Sequence, residues 1–227
     1  RRITAALVYL SPNSVSLPTD GAMMAPDGKT TAQKQKVRIA AHQSAAYVGR
    51  GPDLFSELLA VAVSQVQGGF DDLAKSFPGQ ASVAHRNMMA AIRGGTAVPG
   101  DPSKVDAVLV GISSTGRAVA HLVSSFPEDG HPAWTMRPLV RESLSVTMRF
   151  APESIQPALV FASPMDQATE AALTLAGSRL WGPTDDVAAH GLAVMRAQRK
   201  SKIVGGFCQM TTVTPDGVSS SVLERWS

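Results

Sequence analysis

The sequence predicts an α+β protein in which antiparallel β-sheets pack against layers of helices. Segments with strand-like patterns and segments with helix-like patterns occur in blocks along the chain and do not alternate one by one. Such grouping favours antiparallel sheets over the parallel sheets that alternating strands and helices build. The opening segment is also apolar at consecutive positions, as expected for a strand that is buried on both faces.

The first block contains four predicted strands. Residues 5–10 form the continuous apolar run, and the Ser11-Pro12-Asn13 turn leads into an alternating segment at residues 14–17. Residues 18–34 are rich in Gly, Pro and Thr and predict a loop. The two remaining strands of the block are predicted at residues 37–39 and 44–48.

Helical patterns begin after the Gly49-Arg50-Gly51-Pro52 break, where Pro52 suits the first turn of a helix. This helix ends at Gly68-Gly69, and a second helical region spans residues 70–93 with an interruption at Pro78-Gly79. The later predicted elements are a hairpin of residues 107–112 and 117–123, strands at 144–150 and 158–162, helices at 165–180 and 183–200, and a closing hairpin of residues 205–213 and 218–223.

Composition limits the classes of function. With 227 residues, of which 44% are hydrophobic and 17% charged, the chain predicts a single globular domain over residues 1–227. The net charge of +3 is small and the basic residues are scattered, which argues against a nucleic-acid partner. No apolar run reaches the roughly 20 residues that a membrane-spanning helix needs, so we expect no membrane partner.

The cysteine and histidine content argues against a metal centre. Cys208 is the only cysteine, which excludes an internal disulfide and a thiolate cluster and fits a small core residue. The five histidines show no ligand spacing such as His-x-x-x-His. We therefore expect no metal and no cofactor. Because nothing here requires an oxidising compartment, we expect a cytoplasmic location.

Three residues of the first block are evenly spaced. Thr4, Asp20 and Lys36 are separated by sixteen positions each, and a strand carries each residue or leads up to it. This pattern resembles the proteasome-type N-terminal nucleophile (Ntn) hydrolases, in which a Thr, an Asp and a Lys from these strands converge on one site. The order of the predicted elements is similar to that family along nearly the whole chain. The resemblance implies a four-layer αββα sandwich, with two antiparallel sheets between helix layers.

The resemblance also implies a role for each residue. Thr4 is the candidate nucleophile and, through its own α-amine, the general base, since a Thr hydroxyl needs a base within reach. Lys36 tunes this pair of groups, and Asp20 keeps Lys36 charged and oriented. The backbone at Gly49 and the two residues after it is expected to donate an oxyanion-stabilising N–H, worth roughly 3–4 kcal/mol in comparable sites. Ser163 matches the serine that the family places near the start of its third helix.

The sequence departs from the family pattern at supporting positions. Ile3 precedes Thr4 in this sequence, so the Thr4 nitrogen lies within a peptide bond. The family usually self-cleaves after Gly, and this chain has Ile3 at that position. The family also places an Asp and a Ser just before the late Gly-Gly pair, where this chain has Ser201 and Val204. Thr4, Asp20 and Lys36 therefore match the family pattern, whereas some of the positions that support them do not.

Two classes of function follow from these observations. The first is a proteasome-like threonine amidohydrolase that cleaves peptides and works in a ring-shaped or helical homo-oligomer, as the resemblance implies. The second is a noncatalytic scaffold or binding subunit that keeps the fold, which the Ile3, Ser201 and Val204 departures favour. An enzyme acting on a non-peptide amide stays open as well, because a fold does not fix a substrate.

Overall fold

Two antiparallel β-sheets lie face to face and carry helices on their outer surfaces, which gives a four-layer αββα sandwich. The structure is a computed structural model and describes residues 4–24, 30–128, 130–140, 156–165, 167–175, 180–200 and 204–226. The α+β class and the layer order predicted from the sequence are confirmed.

The strands fall into two large sheets and one small hairpin. Along the chain they are β1 (Ala6–Leu10), β2 (Val15–Asp20), β3 (Ala22–Met24), β4 (Thr30–Gln33), β5 (Arg38–Ala40), β6 (Ala45–Arg50), β7 (Asp106–Ile112), β8 (Ala118–Ser124), β9 (Arg137–Pro138), β10 (Ala158–Ser163), β11 (Gly182–Pro183), β12 (Phe207–Thr214) and β13 (Gly217–Arg225). The first sheet has the order β11-β10-β1-β2-β12-β13 and the second has the order β5-β6-β7-β8-β9. Strands β3 and β4 pair with each other.

The helices cover the outer face of each sheet. Helices α1 (Asp53–Ser64) and α2 (Phe70–Arg93) pack on the second sheet, and α3 (Gln167–Leu175) and α4 (Val187–Lys200) pack on the first. A short 3₁₀ turn, Ala41–Gln43, joins β5 to β6 at the predicted turn. Within the described residues, no helix combines the length and the apolar character that crossing a bilayer requires.

Strand β1 is apolar throughout because it lies in the middle of the sandwich. Its alternate side chains Ala6, Val8 and Leu10 point into the core between the two sheets. Leu7 and Tyr9 point the other way, into the core beneath α3 and α4. A strand has a side-chain period of two, so burial on both faces requires an unbroken apolar run.

The predicted interruption at Pro78-Gly79 is wrong, because α2 is continuous over 24 residues. Pro78 removes one backbone donor, which usually kinks or ends a helix. Here the buried residues on either side, Phe77 and Ala81, continue the same apolar stripe along the second sheet. Packing of this stripe outweighs the local preference of the proline.

The predicted loop over residues 18–34 is also partly wrong. Strand β2 continues through Pro18 and Thr19 to Asp20, paired with β12, and the hairpin of β3 and β4 follows. Thr19 and Asp20 are almost completely buried, so their backbone groups need partners, which β12 provides on one side and Ala5 and β1 provide on the other. This extension carries Asp20 into the interior.

Other elements differ mainly at their ends. Strand β6 runs through Gly49 to Arg50, beyond the predicted end at residue 48. Helix α4 begins at Val187, later than predicted, because β11 occupies residues 182–183 next to β10. The hairpins at β7–β8 and β12–β13 are confirmed. The strand predicted at residues 144–150 lies outside the described residues.

Candidate active site

Asp20 and Lys36 form a buried ion pair, which we call the Asp20–Lys36 pair. The Lys36 ammonium donates to both carboxylate oxygens of Asp20 at 2.9 Å each. The Asp20 side chain is 1% exposed and that of Lys36 is 15% exposed. Asp20 ends β2 and Lys36 lies two residues before β5, so the two sheets contribute one partner each.

Backbone groups hold the Asp20 carboxylate in place next to Thr4. The Ala5 N–H donates to Asp20 Oδ1 at 2.8 Å, and the Ala22 N–H donates to Oδ2 at 3.3 Å. In return, the Asp20 N–H donates to the Ala5 carbonyl at 3.3 Å. Thr4 directly precedes Ala5 and is itself buried. The fold therefore brings Thr4 to the edge of the Asp20–Lys36 pair.

Opposing effects act on the protonation of Asp20. Burial raises the pKa of the Asp20 carboxyl above its ordinary value, while Lys36 and the N–H groups of Ala5 and Ala22 oppose this rise. A carboxylate with four hydrogen bonds from donors is suited to fix the position of a lysine ammonium. The pair thus holds an oriented positive charge on a carboxylate that is itself bonded to the backbone of the residue after Thr4.

Gly49 lies in β6, next to the Lys36 segment. The pairing of β5 with β6 ends at Arg38 opposite Tyr47, and continuing this register by two residues puts Lys36 opposite Gly49. The Gly49 carbonyl accepts a hydrogen bond from Ser56 Oγ at 3.1 Å. A Cβ at position 49 would come within 2.8 Å of the same Oγ, so this position requires glycine. Its role in stabilising an oxyanion stays a prediction.

Ser163 ends β10 and lies opposite Ala6 of β1, at the same end of the sandwich as Thr4. Its hydroxyl accepts a hydrogen bond from Arg50 Nη2. Its catalytic role also stays a prediction. Of the two supporting positions that depart from the family pattern, Ser201 lies outside the described residues, and Val204 is a buried core residue.

Arg50 and Asp106 form a second buried pair that the sequence analysis missed, and we call it the Arg50–Asp106 pair. Arg50 Nη1 lies 3.2 Å from Asp106 Oδ1, and the side chains are 5% and 14% exposed. Burial raises the pKa of Asp106 to about 6 and lowers the pKa of Arg50. An arginine at the end of an otherwise apolar strand, after Gly49, is the one signal in the sequence that points to this pair.

The described residues contain no group of three or more His, Cys, Asp or Glu side chains that could hold a metal ion. Cys208 is buried in the core beneath α4, and burial raises the pKa of its thiol to about 12. A thiol with such a high pKa stays protonated and is a poor nucleophile.

Comparisons with known proteins support the fold and no more. No protein-family model matches the chain, and neither does the sequence of any curated protein. Solved structures do match: 438 chains do so, among them the Gly-1 mutant of Anbu from Hyphomicrobium sp. strain MC1. That match has a TM-score of 0.63 at 12% identity, and it covers 97% of this chain and 87% of the Anbu chain.

This likeness extends over nearly the whole length of both chains, so it concerns the complete layer arrangement and not a shared supersecondary motif. The fold is Ntn-hydrolase-like. At 12% identity the likeness shows the fold alone, and function has to be argued from the residues of this chain.

Proposed function

We propose that this protein is a threonine-type amidohydrolase that cleaves peptides, with Thr4 as the nucleophile, Lys36 as the group that tunes it and Asp20 as the anchor of Lys36. The observation that carries the proposal is the buried Asp20–Lys36 pair, whose carboxylate is bonded to the residue after Thr4. A fully hydrogen-bonded ion pair next to a buried threonine is what activation of a weak hydroxyl nucleophile requires.

The chemistry runs through the free α-amine of Thr4. Removal of residues 1–3 exposes this amine, whose unperturbed pKa is about 8. The nearby Lys36 charge favours the neutral amine, which takes the proton from Thr4 Oγ as that oxygen attacks the amide carbonyl carbon. The carbon–nitrogen bond then breaks and the leaving nitrogen takes the proton. Water hydrolyses the resulting ester with the same amine as base, which releases the acid and restores Thr4.

Self-association and a cytoplasmic location belong to this proposal. Apolar side chains of Val61 on α1 and Val83 on α2 are exposed on the outer helix layer, which fits contact with a second copy of the chain. Light scattering after size exclusion tests this part, and a mass equal to one chain would contradict it.

The test of the nucleophile uses two forms of the protein. A chain that begins at Thr4, released from a cleavable fusion, should hydrolyse peptides at least about 100-fold faster than a chain that keeps residues 1–3, since the second lacks the general base. A peptide electrophile should add to Thr4 only in the first form, as intact mass and peptide mapping report.

Substitutions then assign the activity to this residue. Thr4→Ala should reduce hydrolysis to background, whereas Thr4→Ser should keep it. Thr115→Ala, in the exposed turn between β7 and β8, is the matched control and should have no effect. Equal activity of Thr4→Ala and the parent would sink the proposal.

A noncatalytic scaffold is the second candidate, because Ile3 precedes Thr4 and keeps its nitrogen in a peptide bond. Intact mass and N-terminal sequencing of the protein expressed from its full gene separate the two. A chain that begins at Thr4 supports the hydrolase. A chain that keeps Ile3 after long incubation, together with an inactive Thr4-initiated form, supports the scaffold.

A further inference from the structure

A cavity of about 870 Å³ opens at the end of the sandwich where Ser163 and Arg50 meet. We call it the end cavity. It lies between the end of β10 in the first sheet and the ends of β6, β7 and β8 in the second. Ser163 lines it and pairs with Ala6 of β1, so the cavity adjoins the strand that begins two residues after Thr4. The volume falls in the range of pockets that bind small molecules or peptide side chains.

One wall of the end cavity is apolar and aromatic. Among the described residues, three aromatic side chains line it, namely Phe126, Phe161 and Trp181. All three are only partly buried, and the aliphatic side chains of Leu122 and Val160 also belong to the lining. Partly exposed aromatic side chains gathered around one cavity favour an apolar or aromatic ligand group.

The charged side chains of the lining balance each other. Among the described lining residues, positive and negative groups are equal in number, namely Arg50, Lys104 and Arg137 against Asp101, Asp106 and Glu128. Glu128 and Arg137 lie 3.6 Å apart, and the Arg50–Asp106 pair lies deeper. A lining with no net charge does not select a strongly charged ligand such as a nucleotide.

The Arg50–Asp106 pair leaves one donor and one acceptor without a hydrogen bond, although Asp106 Oδ1 keeps its 3.2 Å ion-pair contact with Arg50 Nη1. Arg50 Nη2 donates to Ser163, and the Phe161 ring centroid lies 5.3 Å from the guanidinium carbon. Arg50 Nε and Asp106 Oδ1 are both buried, and neither has a hydrogen-bond partner among the described residues. Buried polar groups of this kind cost free energy and mark positions where a ligand can bind. A neighbouring donor and acceptor are the complement of an amide, which offers one carbonyl and one N–H.

We propose that the end cavity binds a segment of the peptide substrate, with an aromatic or large aliphatic side chain against the apolar wall and the adjoining backbone amide at the Arg50–Asp106 pair. The inference rests on the proposed function for its substrate class, and it adds a specificity for one neutral apolar residue. Ser163 connects the end cavity to the Thr4 region. Its hydroxyl accepts a hydrogen bond from Arg50 in the cavity, and its backbone pairs with Ala6 of β1.

Binding can be measured without catalysis, on the full chain, by isothermal titration calorimetry. The probes are three capped tripeptide amides that differ only in the central residue, which is Phe, Ala or Glu. The Phe peptide should bind at least tenfold more tightly than the Glu peptide, with the Ala peptide between them. Equal affinities for the three peptides would overturn the proposal.

Two variants locate the binding. Pro99→Trp, at an exposed position of the lining, should obstruct the cavity without altering the core. We expect it to lower the affinity for the Phe peptide tenfold or more. The double variant Arg50→Met with Asp106→Leu removes the partners of the amide and keeps the charge balance. It should lower the affinity for the same peptide about tenfold. Its matched control is Arg196→Met with Glu224→Leu, an exposed pair between α4 and β13, which should leave the affinity unchanged. Unchanged affinity in Pro99→Trp would contradict the proposal even if the double variant fails to fold.

Hydrolysis by the Thr4-initiated chain separates this inference from the proposed function. Tight, selective binding of the Phe peptide without hydrolysis of any peptide would overturn the hydrolase and support the end cavity. Hydrolysis with a KM that Pro99→Trp does not change would support the hydrolase and overturn the end cavity.

Discussion

Two buried ion pairs lie at the same end of the sandwich, and they differ in how completely their polar atoms are satisfied. In the Asp20–Lys36 pair both carboxylate oxygens bind the ammonium at 2.9 Å and each also accepts a backbone N–H. In the Arg50–Asp106 pair the ion-pair contact is 3.2 Å, and Arg50 Nε and Asp106 Oδ1 make no hydrogen bond to any described residue.

The difference separates two uses of buried charge. A pair that is satisfied on all sides fixes its neighbours, here the strand end that carries Thr4, and has no capacity left for a ligand. A pair with unused hydrogen-bonding atoms beside a cavity can bind a ligand or change its protonation state. The first pair therefore fits positioning of a nucleophile, and the second fits recognition.

Removing the lysine of the first pair should have the largest effect on stability. In Lys36→Met the Asp20 carboxylate stays buried without its cation, which typically costs about 3–5 kcal/mol. Urea unfolding at pH 7 measures the change in the free energy of unfolding.

The chain offers a matched control for this prediction two residues away. Lys34 contacts Asp53 and Glu57, but these carboxylates are 42% and 45% exposed. Lys34→Met should therefore cost no more than about 1 kcal/mol. Equal losses of unfolding free energy in Lys34→Met and Lys36→Met would mean that burial does not distinguish the two lysines.

The second pair should make stability depend on pH in an unusual direction. Burial raises the pKa of Asp106 from 3.8 to about 6, with Arg50 and Arg137 lowering it and Glu128 raising it. The folded state then holds the proton more tightly than the unfolded state. Stability falls as pH rises from about 4 to about 6, by up to roughly 3 kcal/mol at 1.36 kcal/mol per pKa unit.

A difference measurement isolates this effect from the other carboxylates. Unfolding of the parent and of Arg50→Met with Asp106→Leu is compared at several pH values between 4 and 7. The stability of the parent relative to the double variant should decline over this range and level off above pH 6. A difference that stays constant from pH 4 to pH 7 would show that Asp106 is not the titrating group.

The sequence predicts the first pair better than the second for a physical reason. Thr4, Asp20 and Lys36 lie on or next to strands of the first block, and the family resemblance that their spacing carries implies that they converge on one site. Arg50 and Asp106 are brought together because β6 pairs with β7 across two intervening helices, and they have no periodic relation in the sequence. The register of that pairing is visible only in the folded chain.

The errors in element boundaries have a similar origin. Pro18 and Pro78 each disfavour the strand or helix that contains them, so the local sequence predicts that each element stops there. In the structure, burial of Thr19 and Asp20 in β2 and of Phe77 and Ala81 in α2 continues the elements through both prolines. Tertiary packing decides these positions, whereas the apolar run of β1 needs no such information.

Replacing both partners of each pair compares the two pairs without leaving an unpaired charge. Arg50→Met with Asp106→Leu removes a poorly satisfied pair, so the double variant should be as stable as the parent at pH 7 or up to about 3 kcal/mol more stable. Lys36→Met with Asp20→Leu should lose at least about 2 kcal/mol, since the N–H groups of Ala5 and Ala22 then lack their acceptor. Urea unfolding of the two double variants compares the pairs directly. Similar stabilities for both would mean that the backbone hydrogen bonds to Asp20 contribute little, and the contrast between the two pairs would rest on the cavity alone.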